Sequence, residues 1–369
     1  MAAPLRLLLA ISSHGYGHLS QVAPIANALR QRLPQLELLV QSTLPQPVLA
    51  ARFTGPFHHL TAVTDLGMVM DSALDVRPEA SAQAYRNFHR NWSANVKTEA
   101  KILADLAPDL ILADVPYLTL AAAAQAQIPA LALCSIHWGD IYGHYLEDRP
   151  EAPAVLAEIT AAYNTAQVFL QPVPTMPMPS LTNRCPIGPI ARLGRSRREE
   201  LAKQVGLAKG ERVLLVSLGG INTPLQLTDW PQTGWRYLIP AAWQVQRSDC
   251  TTLESITLPF IDLLSSVDAV LSKPGYGTFA ECACNGVPLL YVAREDWPET
   301  PYLVDWLIRH GRSQEITRHQ LLRGDFGEVL ESLLAQPLPP LPRTTGIEEA
   351  VEWLLRLAPN TGEPGRRSL

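Results

Sequence analysis

Short, wholly apolar runs recur along this chain, and between them lie longer stretches in which apolar residues return every three or four positions. The first run, Leu5–Ile11, is followed by Leu19, Val22, Ala26, Leu29 and Leu33, which mark one face of a helix. Leu36–Val40, Asp109–Ala113 and Ala130–Cys134 read as further strands, His58 and His59 fall in another, and amphipathic or alanine-rich helices separate several of them. Such alternation predicts a parallel sheet covered on both faces by helices. A second series follows, with strands at Arg212–Leu218, Asp268–Ser272, Pro288–Val292 and Ser313–Ile316 and helices near Gly277–Cys284 and Pro301–His310.

Between the series lies a proline-rich stretch, residues 171–179, read as a loop, and then a polar, basic run, Arg192–Lys203, read as a solvated helix face. The junction is expected around residues 185–210. The predicted architecture is α/β, with two Rossmann-like domains facing each other across a cleft: residues 1–190, residues 191–345, and a C-terminal helix and tail over 346–369. Pro337–Pro342 punctuates the end of the second domain, and the helix at Ile347–Leu357 is expected to return to the first.

Composition narrows the function. With 369 residues, 47% hydrophobic and 18% charged, the chain can bury two ordinary cores. Its formal net charge of −5 lacks the basic excess of a nucleic-acid binder. Five cysteines without paired metal-ligand spacing suggest reduced thiols in a cytoplasmic protein. The opening apolar run has Arg6 inside it and no clean cleavage site, so it reads as a strand and not a leader. Gln125, Gln127 and Pro129 interrupt Leu118–Leu133, the longest apolar stretch, so no transmembrane segment is expected.

The chemistry concentrates in two glycine-rich turns. Ser12-Ser13-His14-Gly15-Tyr16-Gly17-His18 joins the first strand to the first helix. Gly15 and Gly17 let the backbone turn tightly, and the helix start behind them offers unpaired N–H groups. Ser20 stands where a dinucleotide fingerprint needs its third glycine, so the loop points to a polyhydroxyl ligand with a histidine base, His18. His14 either contacts ligand or only shapes the loop. The second turn, Lys273-Pro274-Gly275-Tyr276-Gly277-Thr278, follows a strand and opens a helix that carries Glu281 one turn later. With Gly219 and Gly220 ending the preceding strand, it forms a plausible nucleotide-diphosphate site. Glu281 would accept vicinal ribose hydroxyls, and Lys273 is either a phosphate counter-charge or a solvated strand end. Trp138, Asp140 and Tyr142 offer the aromatic face and carboxylate that suit an acceptor sugar, although one of them can equally be core. No Asp-x-Asp pair ends a strand, and no metal or cofactor is expected.

These motifs, with Asp65–Val76, Ala113-Asp114-Val115-Pro116, Trp138–Tyr142, Pro177-Met178-Pro179 and Arg294–Glu299, resemble in their order the GT-B glycosyltransferases. The resemblance is nearest to the glycosyltransferase-like N-terminal region of L-arabinokinases and related bacterial proteins, and it runs from Leu5 to about Gly311. It implies sugar transfer with inversion from a nucleotide-diphosphate donor, UDP-sugar foremost, to a small-molecule or glycan hydroxyl. By similarity to plant UDP-sugar transferases, His18 would be the base and Asp114 its orienting partner. Similarity to the transferase that adds N-acetylglucosamine to the peptidoglycan lipid precursor maps His18 onto its glycine-loop histidine and Glu281 onto its ribose carboxylate. Gly219, Gly220, Lys273, Gly275, Tyr276, Gly277 and Thr278 complete the expected donor set, and His14, Tyr16, Trp138, Asp140 and Tyr142 the acceptor set. The glycine–serine phosphate loop of the arabinokinase kinase domain does not appear in the sequence, so kinase activity is not carried over. Two alternatives share these residues: a nucleotide-sugar hydrolase, and a non-catalytic regulatory protein that binds sugar nucleotides.

Overall fold

A computed structural model describes residues 4–219, 225–232, 234–294 and 296–359. The chain divides into two compact units. The first comprises the residues up to Val69, Val76–Gly188 and the residues from Thr345 on; the second comprises Met70–Asp75 and Pro189–Thr344. The hexapeptide Met70–Asp75, from within the first half of the sequence, thus belongs to the second unit, an excursion the hydrophobic pattern does not signal.

The first unit opens with β1 (Arg6–Ile11), α1 (Gly17–Arg32), β2 (Glu37–Gln41), α2 (Gln46–Ala50), β3 (His58–Leu60), α3 (Pro78–His89) and α4 (Trp92–Leu106). It continues through β4 (Leu110–Asp114), α5 (Tyr117–Gln125), β5 (Ala130–Leu133), α6 (Trp138–Leu146), α7 (Ala152–Asn164), β6 (Phe169–Pro172) and β7 (Arg184–Ile187). Among the described residues the strands form one parallel sheet in the order β3-β2-β1-β4-β5-β6-β7. Every residue of β4 and β5 is buried, as a strand covered on both faces must be. β6 corrects the sequence reading: Gln171 and Pro172, expected in a loop, are paired with Pro186 and Ile187. β7 tolerates Pro186 because it is the edge strand and needs no donor on its outer side.

The second unit contains α8 (Arg198–Val205), β8 (Arg212–Ser217), β9 (Trp235–Ile239), β10 (Cys250–Thr252), α9 (Phe260–Leu264), β11 (Ala269–Ser272) and α10 (Tyr276–Asn285). After these come β12 (Leu289–Val292), α11 (Thr300–His310), β13 (Ser313–Ile316), α12 (Arg318–Arg323) and α13 (Gly327–Ala335). Its sheet, also parallel, runs β10-β9-β8-β11-β12-β13 over a core that includes Trp230, Tyr237, Phe326 and Leu330. The basic run after the junction is not one helix face. α8 starts only at Arg198, and the residues before it are pinned by Gly194 N–H to Asn285 Oδ1 at 2.9 Å and Arg197 N–H to Ser266 Oγ at 2.7 Å. A Cβ on Gly194 would lie 2.2 Å from the Ile261 carbonyl, so only glycine allows this approach.

The last helix, α14 (Gly346–Leu357), packs within the first unit against α1. Ala350, Val351 and Leu354 face inward, Arg32 pairs with Glu352 at 2.6 Å and contacts Glu348, and Glu349 accepts the Gly188 N–H. All five cysteines are free thiols. Among the described residues no helix is long and apolar enough to cross a membrane.

Candidate functional site

In an open parallel sheet, neighbouring strands whose connections run in opposite directions leave a crevice at their carboxyl ends, and ligands bind there. The first sheet has this switch point between β1 and β4, the second between β8 and β11. Both glycine-rich turns of the sequence fall at these places.

At the first switch point the chain leaves β1 at Ser12, whose N–H donates to the Asp114 carbonyl at 2.8 Å. Gly15 has φ +83°, a left-handed conformation that favours glycine, and nothing lies within 4 Å of a Cβ built on Gly15 or Gly17. The loop therefore has open space beside it. Tyr16, 42% exposed, precedes α1, and His18 sits in the first turn of that helix. His18 Nδ1 donates to Asp114 Oδ1 at 2.9 Å, with Asp114 fully buried at the end of β4. A neutral imidazole that donates from Nδ1 carries its basic lone pair on Nε2. Burial pushes the Asp114 pKa up, while the His18 charge and hydrogen bond pull it down.

A second buried carboxylate, Asp65, has no role in the sequence reading. Its Oδ2 accepts from Trp138 Nε1 at 2.7 Å, and burial raises its pKa against the pull of Ser12, Trp138 and His18. Trp138 is thereby fixed with its ring 5.1 Å from that of His14 and 5.9 Å from that of His18. His14 Nε2 donates to the Met68 carbonyl at 3.1 Å. Gly67 lets this strap pass, since a Cβ there would come within 2.4 Å of the His14 ring and 2.9 Å of Trp138. His14 and Trp138 therefore share the surroundings of His18. Asp140 instead accepts from His137 Nε2 at 3.1 Å at the start of α6, and Tyr142 is fully buried against Tyr85, ring centroids 4.7 Å apart. Asp140 and Tyr142 thus have local structural partners that their spacing in the sequence does not show. Cys134, just past β5, completes the surroundings, with Sγ 3.6 Å from His18 Nδ1.

At the second switch point, Gly219 has φ +89° two residues past β8; Gly220 lies outside the described residues. Ser272 Oγ ties β11 to β8 by donating to the Ser217 carbonyl at 2.7 Å. The Lys273 amine lies between the two glycine loops: a Cβ on Gly219 would be 3.8 Å from Nζ, and one on Gly275 would be 3.6 Å from it. Nζ donates to the Pro274 carbonyl at 3.4 Å, a long bond. Burial, and after it the charge of Arg294, bring the Lys273 pKa down to about 8 against the pull of Glu299. Arg294, two residues past β12, stacks its guanidinium 4.0 Å over the Trp297 ring. Gly275 is the N-cap of α10, so Tyr276, Gly277 and Thr278 occupy the first turn, where backbone N–H groups lack helical partners.

Two donor-set residues are engaged inside the protein. Tyr276 is buried, and its hydroxyl accepts the Ile190 N–H at 2.8 Å, anchoring the junction peptide. Glu281, also buried, accepts from Arg192 Nε at 2.9 Å. The basic residue read as solvated is thus the partner of the expected ribose carboxylate.

No family model matches the chain. It is 26% identical over 337 residues to L-arabinokinase of Arabidopsis thaliana, an alignment that covers 87% of this chain and 31% of that protein. The chain thus spans about a third of the length of the curated relative it matches. Among solved structures, the glycosyltransferase of kitacinnamycin superposes with a TM-score of 0.64 at 16% identity, covering 97% of this chain and all of the other. The glycosyltransferase VinC, in complex with dTDP, superposes with a TM-score of 0.55 at 16% identity, covering 96% and 99%. The fold is that of the GT-B glycosyltransferases, with two parallel sheets flanked by helices.

Proposed function

We propose that this protein transfers a sugar from a nucleotide-diphosphate donor, a UDP-sugar foremost, to a hydroxyl of a small-molecule or glycan acceptor, with inversion at the anomeric carbon. The observation that carries the reading is the buried His18–Asp114 pair, 2.9 Å apart, at the switch point of the first sheet. In the transfer, His18 Nε2 takes the acceptor hydroxyl proton while the oxygen attacks the anomeric carbon and the bond to diphosphate breaks. Asp114 holds the imidazole in the tautomer with Nδ1–H and stabilises the imidazolium that forms. A positioned base of this kind contributes roughly 10²–10⁴ in rate. His14 and the exposed Tyr16 border the acceptor, and the buried Trp138 backs His14 and His18 from within the protein.

The departing diphosphate gains negative charge, and Lys273, Gly219 and the first turn of α10 supply counter-charge and N–H donors for it, with no metal or further cofactor. Glu281 holds the ribose through the oxygen not engaged by Arg192. The dTDP complex of VinC supports a nucleotide diphosphate as the ligand class.

A thermal-shift screen of nucleotide diphosphates and their sugars tests the donor half, because a ligand at a hundred times its Kd should stabilise the native state by about 2.7 kcal/mol. The donor so identified, incubated with candidate acceptors, tests the transfer. Release of free sugar at the same rate with and without acceptor would make the protein a hydrolase, and binding without turnover would make it a sensor.

A further inference from the structure

The His18–Asp114 pair has a third neighbour that sugar transfer does not use. Cys134 is fully buried, with Sγ 3.6 Å from His18 Nδ1 and 3.8 Å from Gln21 Nε2. His18, Asp114 and Cys134 bring one nitrogen, one oxygen and one sulfur donor atom within 4.8 Å of one another. Two oxygens in this neighbourhood, Asp114 Oδ2 and Gln21 Oε1, are buried and have no hydrogen-bond partner. Leaving a buried polar atom unsatisfied costs roughly 1–3 kcal/mol, and more for a charged group, so such an atom calls for a water or an ion.

We propose that His18, Asp114 and Cys134 form an inhibitory site for a soft divalent cation, zinc above all. The donor mix selects the metal: imidazole, thiolate and carboxylate are zinc ligands, whereas magnesium and calcium take oxygen sets. The spacing fits as well. Bonds of about 2.1 Å to nitrogen and 2.3 Å to sulfur at a tetrahedral angle set those atoms about 3.6 Å apart, and here they are 3.6 Å apart. The His18 Nδ1–Asp114 Oδ1 pair, now hydrogen-bonded at 2.9 Å, would open by about 0.5 Å to share the ion. On binding, zinc–nitrogen, zinc–sulfur and zinc–oxygen bonds form, the thiol proton leaves to solvent, and the Nδ1 proton is replaced by one on Nε2. The imidazole then bears N–H on the nitrogen that must accept the acceptor's proton, so the base is switched off while the fold stays intact. Because a thiol proton is released, affinity rises with pH, by up to about tenfold per unit while the thiol is protonated. Binding of the metal stands on geometry alone; the inhibition rests on the reading of His18 as base.

The full chain, stripped with a chelator, would be dialysed against zinc and separately titrated with cobalt(II). One ion per chain is expected, with the near-ultraviolet thiolate charge-transfer absorption in the cobalt form. Loss of an outer-shell partner alone costs 10–100-fold, so Cys134→Ser, which removes a direct ligand, should weaken zinc at least about 100-fold. The pair Cys185→Ser and Cys250→Ser, at the partly exposed thiols, should change nothing. Should Cys134→Ser fail to fold, Asp114→Asn and the cobalt absorption of the variant lacking both partly exposed thiols carry the test. No ion at micromolar zinc, binding that survives Cys134→Ser, or binding lost with Cys185 and Cys250 overturns the site. Zinc bound at one per chain without loss of turnover overturns the inhibitory role, and with it His18 as base, but leaves the site standing.

Discussion

Replacing Lys273 with methionine should make the protein more stable and less able to bind its donor. The lysine amine sits between two glycine loops with one long hydrogen bond, and its pKa drops from an ordinary 10.5 to about 8. At 1.36 kcal/mol per pH unit, keeping it charged in the native state costs about 3 kcal/mol at pH 7. The sign follows from the direction. A lysine with a lowered native pKa destabilises the fold at pH values below that pKa, and the penalty fades as pH rises from about 8 toward the unfolded value. Methionine is unbranched and of similar length, so it fills the same space without the charge. Urea unfolding of Lys273→Met should show a gain of up to about 3 kcal/mol at pH 7, shrinking below about 1 kcal/mol at pH 10. Calorimetric titration with UDP should show the opposite effect on binding. Losing a hydrogen bond to a charged group costs about 1.5–3 kcal/mol, or more than tenfold in Kd. A variant less stable at pH 7, or a gain equal at both pH values, would refute the buried charge at Lys273, and an unchanged UDP affinity would refute its assignment to the diphosphate.

His18→Ala should lower turnover by about 10²–10⁴ with donor affinity nearly intact. Combined with Asp114→Asn, it should cost far less than the sum of the single losses, because base and orienting carboxylate act as one unit; additive losses in a steady-state cycle would separate them. Glu281→Ala breaks a largely buried pair with Arg192 and should lower unfolding free energy by about 1–3 kcal/mol. If Glu281 also holds the ribose, a donor lacking the 2′-hydroxyl binds the unaltered protein more weakly than its parent but loses little further in Glu281→Ala. Equal penalties in both proteins would place the ribose elsewhere.

The strands plainest in the sequence are those with unbroken apolar runs; β6 and β9 are buried too, but Gln171, Pro172 and Arg236 break their runs. β1, β4, β5, β8, β11 and β12 are apolar nearly end to end because helices cover both faces, and each is visible as a run. β7, with Arg184 and Pro186, and β10, Cys250–Thr252, are edge strands whose residues satisfy only one neighbour, so no apolar run announces them. The sites divide in the same way. Glycine loops at strand ends are local, and His18, Gly219 and Lys273 could be placed from them. The contacts Trp138 to Asp65 and Arg192 to Glu281 join residues 73 and 89 positions apart, a relation with no periodicity to reveal it. Asp114 lay between these cases: its strand is plain in the sequence, but its pairing with His18 came from family resemblance.

The return of α14 to α1 bears on how the chain folds during synthesis. The contact between Arg32 and Glu352 closes a loop of 320 residues, so the first unit lacks one of its own helices until the residues through Leu357 have left the ribosome. Until then the surface of α1 that α14 covers stays open to water and to other chains. A product truncated shortly before Thr345 would keep every residue of both sites yet leave that apolar surface bare. Its fate would be decided by chaperones and proteases before any substrate reached it.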